Sequence, residues 1–471
     1  MAVKKGHTAE LTIESAAFEG KGFGRLEDRA CFVKNTAPGD HVKVRIIKKR
    51  KSFFEGQLIE VLKEGPDRVQ PVCRHASVCG GCTWQHVSYA EQLRFKRQHV
   101  EDHLHRIGGL RDVIPLPVLA APQQLHYRNK MEYSFGDRRW LTREEIDSGI
   151  TFTDKDVAAG MHAPGRFDRI LNLEECHLQV PVSFEIMDFV RSYALKHDIS
   201  SYNPVKKQGF IRHVMVRNGH HTGDLMVNLV TFADRGDIVK PLAEALLARF
   251  PQITTIVNNV NDTPSPSSEG RFENVLFGPG YITEKLGANL FRIDANTFFQ
   301  TNTLQAGQLY ETARQFADLR PDDLLFDLYC GVGSLTLYTA DAVKQAVGIE
   351  LSPVSVENAR KNAAANNVVN CAFETGDMKD VFTGKFIQKY GRPDVIITDP
   401  PRAGMHPDVV KTLCELAVDR LIYVSCNSAT MARDLAELSR VYTIDRVQPV
   451  DMFPQTYHIE TVARLTRRFQ A

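Results

Sequence analysis

The sequence lacks several things whose absence narrows the field. No run of about 18 or more apolar residues occurs among its 471 residues, so no membrane-spanning helix is expected. The opening MAVKKGHTAELTIES contains no apolar core of the kind a signal peptide needs, which points to a cytoplasmic protein. Net charge is only +1, so overall composition does not announce nucleic-acid binding. There is no clear internal repeat. The nine cysteines are an odd number in a chain without an export signal, which argues against a disulfide framework and toward catalysis or metal binding. Hydrophobic residues make up 43% and charged residues 24%, enough for sizeable cores, and the length suggests two to four domains at about 100–200 residues each.

The charge that is present is uneven. Residues 1–63 carry 13 Lys/Arg against 8 Asp/Glu, including Lys48-Lys49-Arg50-Lys51. That run reads first as a solvated basic turn, although it also suits a phosphate backbone. Within the same segment Val42, Val44 and Ile46 alternate with polar residues, and Gly and Pro-Gly turns separate short strand-like pieces. The pattern predicts a small β-barrel of the oligonucleotide-binding type over residues 1–65.

Residues 66–285 are expected to form an α+β central domain. It opens with CRHASVCGGC at 73–82 and continues into a helix over 88–110. Tyr89, Leu93, Val100, Leu104 and Ile107 make one apolar stripe along that helix, Gly108-Gly109 ends it, and the stripe is expected to pack on the third domain. The stretch TPSPSSEG at 263–270 reads as an exposed loop. Over 286–471, near-continuous apolar strands alternate with amphipathic helices, which predicts a doubly wound parallel sheet covered on both faces.

The motifs of this third domain carry chemistry. FDLYCGVGSLT sets a glycine turn between a strand and a helix, where Gly331 and Gly333 allow close approach of a ligand. Glu350 ends the next strand, 17 residues after Gly333, where it can accept both hydroxyls of a ribose. Asp377 follows the third strand, suited to an adenine amine. Thr336 stands where the dinucleotide fingerprint needs its third glycine, so a mononucleoside cofactor such as S-adenosylmethionine fits better than NAD. Asp399-Pro400-Pro401-Arg402 follows the fourth strand and Cys426 the fifth, so both face the crevice beyond the strand ends. Cys330 is the rival thiol, but it would lie under the cofactor, while Cys371 and Cys414 read as packing. Glu460 sits in the otherwise apolar IETVARL, and an acid there is costly to bury without a task, which makes it a general-base candidate.

Taken in order, FFQTN, DLYCGVG, GIE, DPPR, SCN and HIETV resemble the RNA uracil-5-methyltransferases, and the N-terminal barrel resembles the TRAM domain that many of them carry. The resemblance runs from about residue 8 to 469 and is loosest over 115–285. It implies that Gln300, Tyr329, Glu350 and Asp399 bind the cofactor, with Gly331 and Asp377 beside them. It also implies that Asp399 and Arg402 face the substrate, that Phe298 stacks on the target base, that Cys426 is the nucleophile and that Glu460 is the base. The chemistry fits these residue types. Carbon 5 of uracil becomes nucleophilic only once a thiolate adds at carbon 6, and a carboxylate must then remove the carbon-5 proton. Cys426 therefore needs a depressed pKa or a nearby base, and the target base must leave its stack. Uracil rather than cytosine is expected because its N3 carries a donor for a carboxylate, and because DPPR lacks the extra cysteine usual in cytosine-5 enzymes.

Cys73, Cys79 and Cys82, with Cys176 downstream, supply four thiolates, a set that suits either zinc or an iron–sulfur cluster by spacing. The same resemblance implies a [4Fe-4S] cluster with a structural role. Cluster cysteines together with a TRAM domain resemble most the branch acting on 23S ribosomal RNA. A transfer-RNA T-loop uridine is the alternative target, and a non-catalytic RNA-binding protein the alternative class. An oxidoreductase is disfavoured by the incomplete dinucleotide fingerprint. Structured RNA is the expected partner, with no membrane and no obligate protein partner.

Overall fold

The computed structural model describes residues 3–151, 157–265 and 267–468. Pro266, inside the expected 263–270 loop, lies outside the described residues, as do the first two and last three residues of the terminal domain spans.

The alternating N-terminal segment closes into a five-stranded barrel. Its strands are β1 (Thr8–Ala16), β2 (Gly22–Leu26), β3 (Arg29–Val33), β4 (His41–Lys49) and β5 (Phe53–Lys63), hydrogen-bonded around the ring in the order β1-β2-β3-β5-β4. Leu11, Ile13, Val42, Val44, Ile46 and Phe54 fill its interior, the inward half of each period-2 pattern. The basic run is partly spoken for: Lys48 pairs with Glu55 at 2.9 Å and Lys49 donates to the Val3 carbonyl at 2.7 Å.

The central region is an eight-stranded sheet. It comprises β6 (Lys130–Gly136), β7 (Arg139–Trp140), β8 (Ala158–His162), β9 (Ile170–Asn172), β10 (Ile211–Asn218), β11 (Leu225–Thr231), β12 (Thr255–Val260) and β13 (Phe272–Phe277), ordered β13-β12-β11-β10-β6-β8-β9-β7. Helices Pro181–Lys196 and Gly236–Arg249 cover one face with an apolar core. A separate hairpin, β14 (Tyr281–Leu286) and β15 (Asn289–Asp294), follows. The expected boundary at 285/286 cuts β14 one residue before its end. The hairpin's Ile282, Leu286, Phe291 and Ile293 join the core of the C-terminal domain, so the sheets divide after β13.

The C-terminal domain has seven strands: β16 (Leu324–Leu328), β17 (Gln345–Glu350), β18 (Cys371–Thr375), β19 (Val395–Thr398), β20 (Arg420–Ser425), β21 (Tyr442–Val450) and β22 (Glu460–Arg467). Their order is β18-β17-β16-β19-β20-β22-β21. The first five are mutually parallel, as the strand–helix alternation predicts, while β22 runs antiparallel to β20 and to β21. Strand order reverses between β16 and β19, and a crevice opens at such a switch point beyond the strand C-termini. Among the described residues no helix is long and apolar enough to cross a membrane.

The helix expected over 88–110 spans Tyr89–Arg106 and packs on helix Ser428–Leu438 and β21. Its buried face corrects the sequence expectation. Gln92, Phe95, Lys96, His99, Val100 and Leu104 are buried, whereas Tyr89 and Leu93 are half-buried and Ile107 is 50% exposed. Gln92 and Lys96 meet polar groups of residues 451–455, and buried polar groups need partners rather than an apolar stripe.

Candidate active site

The glycine turn does what its residue types allow. Tyr329, Gly331 and Gly333 all have left-handed backbones, with φ of 69°, 55° and 75°. A Cβ on Gly333 would lie 2.9 Å from the Phe373 ring, so glycine is required there for packing. A Cβ on Gly331 would meet nothing within 4 Å, so the backbone faces open space. The Gly331 amide donates to Glu350 at 3.1 Å, and the other Glu350 oxygen accepts from the Ser352 amide at 2.8 Å. Two backbone donors thus fix the Glu350 carboxylate at the end of β17, beside the turn. Thr336, in place of a third glycine, donates to Asp327 at 2.5 Å. Burial raises the Asp327 carboxyl to about 7. Tyr310 ties to Ser334, the first residue of the following helix, at 2.8 Å. Asp377 caps the short helix Met378–Val381 by accepting from the Lys379 amide at 3.2 Å and lies 3.8 Å from the Lys379 ammonium.

The residues expected to do chemistry meet at one corner. Ser425 pairs with Thr461 across β20 and β22, so the following Cys426 and the preceding Glu460 are brought together by register. Asp399 follows β19, the other neighbour of β20. Cys426 sits between β20 and helix Ser428–Leu438, with Asn427 capping that helix by accepting from the Ala429 amide at 3.1 Å. Asn427 also donates to the Arg402 carbonyl at 3.0 Å, and Thr430 donates to the same oxygen at 3.2 Å. These bonds pin the Asp-Pro-Pro-Arg segment against the loop that carries Cys426.

Electrostatics at this corner bear on the state of the thiol. The Cys426 thiol is raised to about 11, first by burial and then by Glu460 and Asp399; Arg402 opposes the shift through its charge and a hydrogen bond. The thiol is therefore not acidified in the free protein. Two carboxyls, Glu460 and Asp399, stand near enough to act on it. Asp399 is raised to about 7 by burial and by Asp327, which poises it near neutrality. Glu460 is raised well above the usual carboxyl range by burial and by Asp399, with Arg402 opposing. Three acids crowd a dry corner with one cation, and such groups do not ionise together.

Phe298 and Gln300 lie on the loop after β15. Arg217 donates to the Thr297 carbonyl at 2.5 Å, Asn129 to the Gln300 carbonyl at 2.9 Å, and Asn302 to the Met452 carbonyl at 3.0 Å. The central domain therefore holds this loop, and Phe298 projects from it 70% exposed, a free aromatic face. Cys330 is buried, as expected of a thiol beneath the turn, while Cys371 and Cys414 are half-buried.

Cys73, Cys79, Cys82 and Cys176 are half-buried free thiols; Cys79, Cys82 and Cys176 pack against the same central core, and Cys176 raises the other three thiols. Burial is the largest cause in each case, taking Cys73 to about 11 and Cys82 to about 12. Among the described residues no three His, Cys, Asp or Glu side chains are arranged to hold a metal ion, so the expected metal site is not preformed as a single-ion cage.

Asp327 and the buried pair Lys96–Asp451, 2.5 Å apart, were not singled out from sequence. An acid inside the apolar run LLFDLY was a visible signal for the first. Lys96 and Asp451 are 355 residues apart and gave none.

Comparison with known proteins agrees with this arrangement. Residues 268–468 match the tRNA (Uracil-5-)-methyltransferase family and residues 2–59 the TRAM domain. An RNA methyltransferase of Chlorobaculum tepidum, itself uncharacterised, is 43% identical over 98% of this chain and 97% of its own length. One of Porphyromonas gingivalis is 41% identical over 97% and 99%. Among solved structures, the Pyrococcus abyssi tRNA (uracil-54, C5)-methyltransferase in complex with S-adenosyl-L-homocysteine superimposes with a TM-score of 0.76 at 29% identity, covering 97% of this chain and all of that one. The chain therefore belongs to the RNA uracil-5-methyltransferases, with a TRAM domain ahead of its methyltransferase domain.

Proposed function

We propose that the protein methylates carbon 5 of a uridine in 23S ribosomal RNA, using S-adenosylmethionine and a covalent bond from Cys426 to carbon 6. The observation that carries the reading is the convergence of Cys426, Asp399, Arg402 and Glu460 at the strand ends beside the glycine turn. The open space at Gly331 and the fixed Glu350 carboxylate suit a nucleoside, with Gln300, Tyr329, Asp377 and Asp399 as further contacts. When bound, the cofactor supplies a methyl group on a cationic sulfur, and that charge favours the ionised forms of the acids around it.

Asp399, titrating near neutrality, takes the Cys426 proton as sulfur bonds to carbon 6. The pair of electrons displaced from the carbon 5–carbon 6 double bond makes carbon 5 the nucleophile for the methyl. Glu460 then removes the carbon-5 proton, the double bond re-forms and the sulfur leaves carbon 6 with its electron pair. Arg402 supports the charged sulfur, and Phe298 offers its exposed ring to the base once it has left its stack. The domain spans proposed for this work are a barrel over 1–65 that binds RNA, a central domain carrying the cysteine locus, and a methyltransferase domain that begins with the β14–β15 hairpin.

The four cysteines are proposed as ligands of a structural [4Fe-4S] cluster. Thiolates are its normal ligands, a four-iron cube spaces them more widely than one ion does, and the mutual influence of the thiols supports a shared site. Protein purified without oxygen should contain iron and sulfide that Cys82→Ala loses. Stoichiometric zinc without iron would contradict the assignment.

Nucleoside mass spectrometry after reaction with labelled S-adenosylmethionine and unmodified 23S ribosomal RNA or transfer RNA tests the function. Labelled 5-methyluridine in the ribosomal RNA is the expected result. The likeness to the Pyrococcus abyssi enzyme favours the second reading, a transfer-RNA T-loop uridine, and label in transfer RNA alone would establish it. Label in neither would leave an RNA-binding protein.

A further inference from the structure

Residues 451–458 and Ile459 join β21 to β22, whose first residue, Glu460, pairs with Val450 at the mouth of that hairpin. The segment has no regular secondary structure of its own. Its internal bonds are short-range: the Phe453 amide to Asp451 at 3.2 Å, and the Thr456 hydroxyl to the Phe453 carbonyl at 2.8 Å. Its longer-range tethers come largely from the part of the chain before the methyltransferase domain. Lys96, fully buried, reaches Asp451 at 2.5 Å and the Phe453 carbonyl at 3.0 Å. Tyr89 donates to the other Asp451 oxygen at 2.8 Å.

Gln92 makes a reciprocal pair with Gln455. Its amide donates to the Gln455 side-chain oxygen at 3.0 Å, and its oxygen accepts from the Gln455 backbone amide at 2.9 Å. Gln455 has a left-handed backbone, φ 67°, which turns its carbonyl toward the Thr83 and Trp84 amides at 2.9 and 3.0 Å. Tyr127 donates to the Pro454 carbonyl at 3.2 Å. Burying a lysine, a carboxylate and a glutamine is costly, and their partners here converge on one loop.

We propose that Gln92 and Lys96 are positioning residues for Glu460: by clamping residues 451–458 from helix Tyr89–Arg106, they set the carboxyl where it can reach the carbon-5 proton. The inference rests on the role of Glu460 proposed above and adds residues far outside the methyltransferase motifs. It accounts for the polar buried face of that helix, which packing alone would have made apolar. It also gives the central region a part in the last chemical step, since Cys82 directly precedes Thr83 in the same clamp.

The test measures one step rather than overall activity. Full-length protein is reacted, in a single turnover, with labelled cofactor and a transcript tritiated at carbon 5 of its uridines. The transcript is ribosomal or transfer RNA, whichever the wild-type chain methylates. Tritium release, the protein–RNA adduct on a denaturing gel and RNA affinity are followed together.

Glu460→Gln is the reference and should accumulate methylated adduct. Gln92→Leu, and separately Lys96→Met combined with Asp451→Asn, should slow tritium release by about 10- to 100-fold, the scale of a small misplacement of a catalytic group, with adduct accumulating and RNA affinity unchanged. The double variant leaves no buried unpaired charge and so guards against misfolding, which thermal melting checks. Normal release, or slow release without adduct, in a folded helix variant while Glu460→Gln does accumulate adduct would overturn this proposal alone. Absence of adduct in Glu460→Gln would overturn the base assignment and this proposal with it.

Discussion

At Cys426 the proposed nucleophile is held as a neutral thiol in the free protein. Burial and two neighbouring carboxyls hold it at about 11 in the free protein, and only Arg402 pulls the other way. Because Asp399, titrating near 7, takes the Cys426 proton in the proposed mechanism, the rate of covalent addition should rise with pH through about 7 and level off once Asp399 is ionised. Arg402→Met should lower that rate throughout, by removing the cation that favours charge on the sulfur. A pH series of adduct formation under single-turnover conditions checks both; a rate still climbing about tenfold per pH unit between pH 8 and 9 would mean that the thiolate forms without Asp399.

Asp327 makes a separate prediction about stability. Its folded pKa of about 7 lies above the ordinary 3.8. The folded state therefore holds this proton more tightly than the unfolded chain. That contribution is fully present below about pH 4 and is lost as pH rises through about 7. Asp327→Asn keeps an acceptor for Thr336 and removes the titration, so its melting temperature should fall less than that of wild type between pH 4.5 and 8. Equal declines would show that the carboxyl titrates normally.

At the scale of elements, the turn between β16 and its helix separates two jobs that glycine performs. Gly348, on β17, has the Cys330 sulfur 2.7 Å from where a Cβ would stand, whereas Gly331 has open space there. Gly348→Ala should therefore displace the turn from below, lowering both melting temperature and cofactor affinity. Gly331→Ala should cost about 1–3 kcal/mol of backbone strain at most, yet weaken binding of S-adenosylhomocysteine by crowding the ligand itself. Calorimetry with each variant distinguishes these outcomes, and unchanged affinity in Gly331→Ala would remove the turn from the cofactor site. The strands around it were legible because period-2 and continuous apolar runs report burial directly, and the barrel and the parallel sheet were read from them. Helix Tyr89–Arg106 was legible as a helix but not in its face. Several of its polar partners lie more than 300 residues away, and a local apolar count cannot register a Lys96 whose counter-ion is Asp451.

At the scale of the whole molecule, the candidate site is assembled by more than one domain. The methyltransferase sheet brings Asp399, Cys426 and Glu460 together through register, and each sits in a motif short enough to notice in sequence. The loop that presents Phe298 and Gln300 is held by Asn129 and Arg217, and the approach to Glu460 by Gln92 and Lys96. The barrel joins through the Trp84 indole, which donates to the Gly20 carbonyl at 3.2 Å, and His86, 3.2 Å from the Thr36 carbonyl. These supports were hidden in sequence because they are pairings between distant segments, not patterns within one.

The most direct test of the account is the covalent bond itself. The protein is incubated with S-adenosylmethionine and a substrate transcript in which uridine is replaced by 5-fluorouridine, whose carbon-5 fluorine Glu460 cannot remove. Peptide mass spectrometry is then applied to the stalled complex. The account predicts a methylated fluorouridine attached to the peptide containing Cys426, absent from Cys426→Ala. An adduct on another residue, or none from protein that forms 5-methyluridine on the normal transcript, would contradict it.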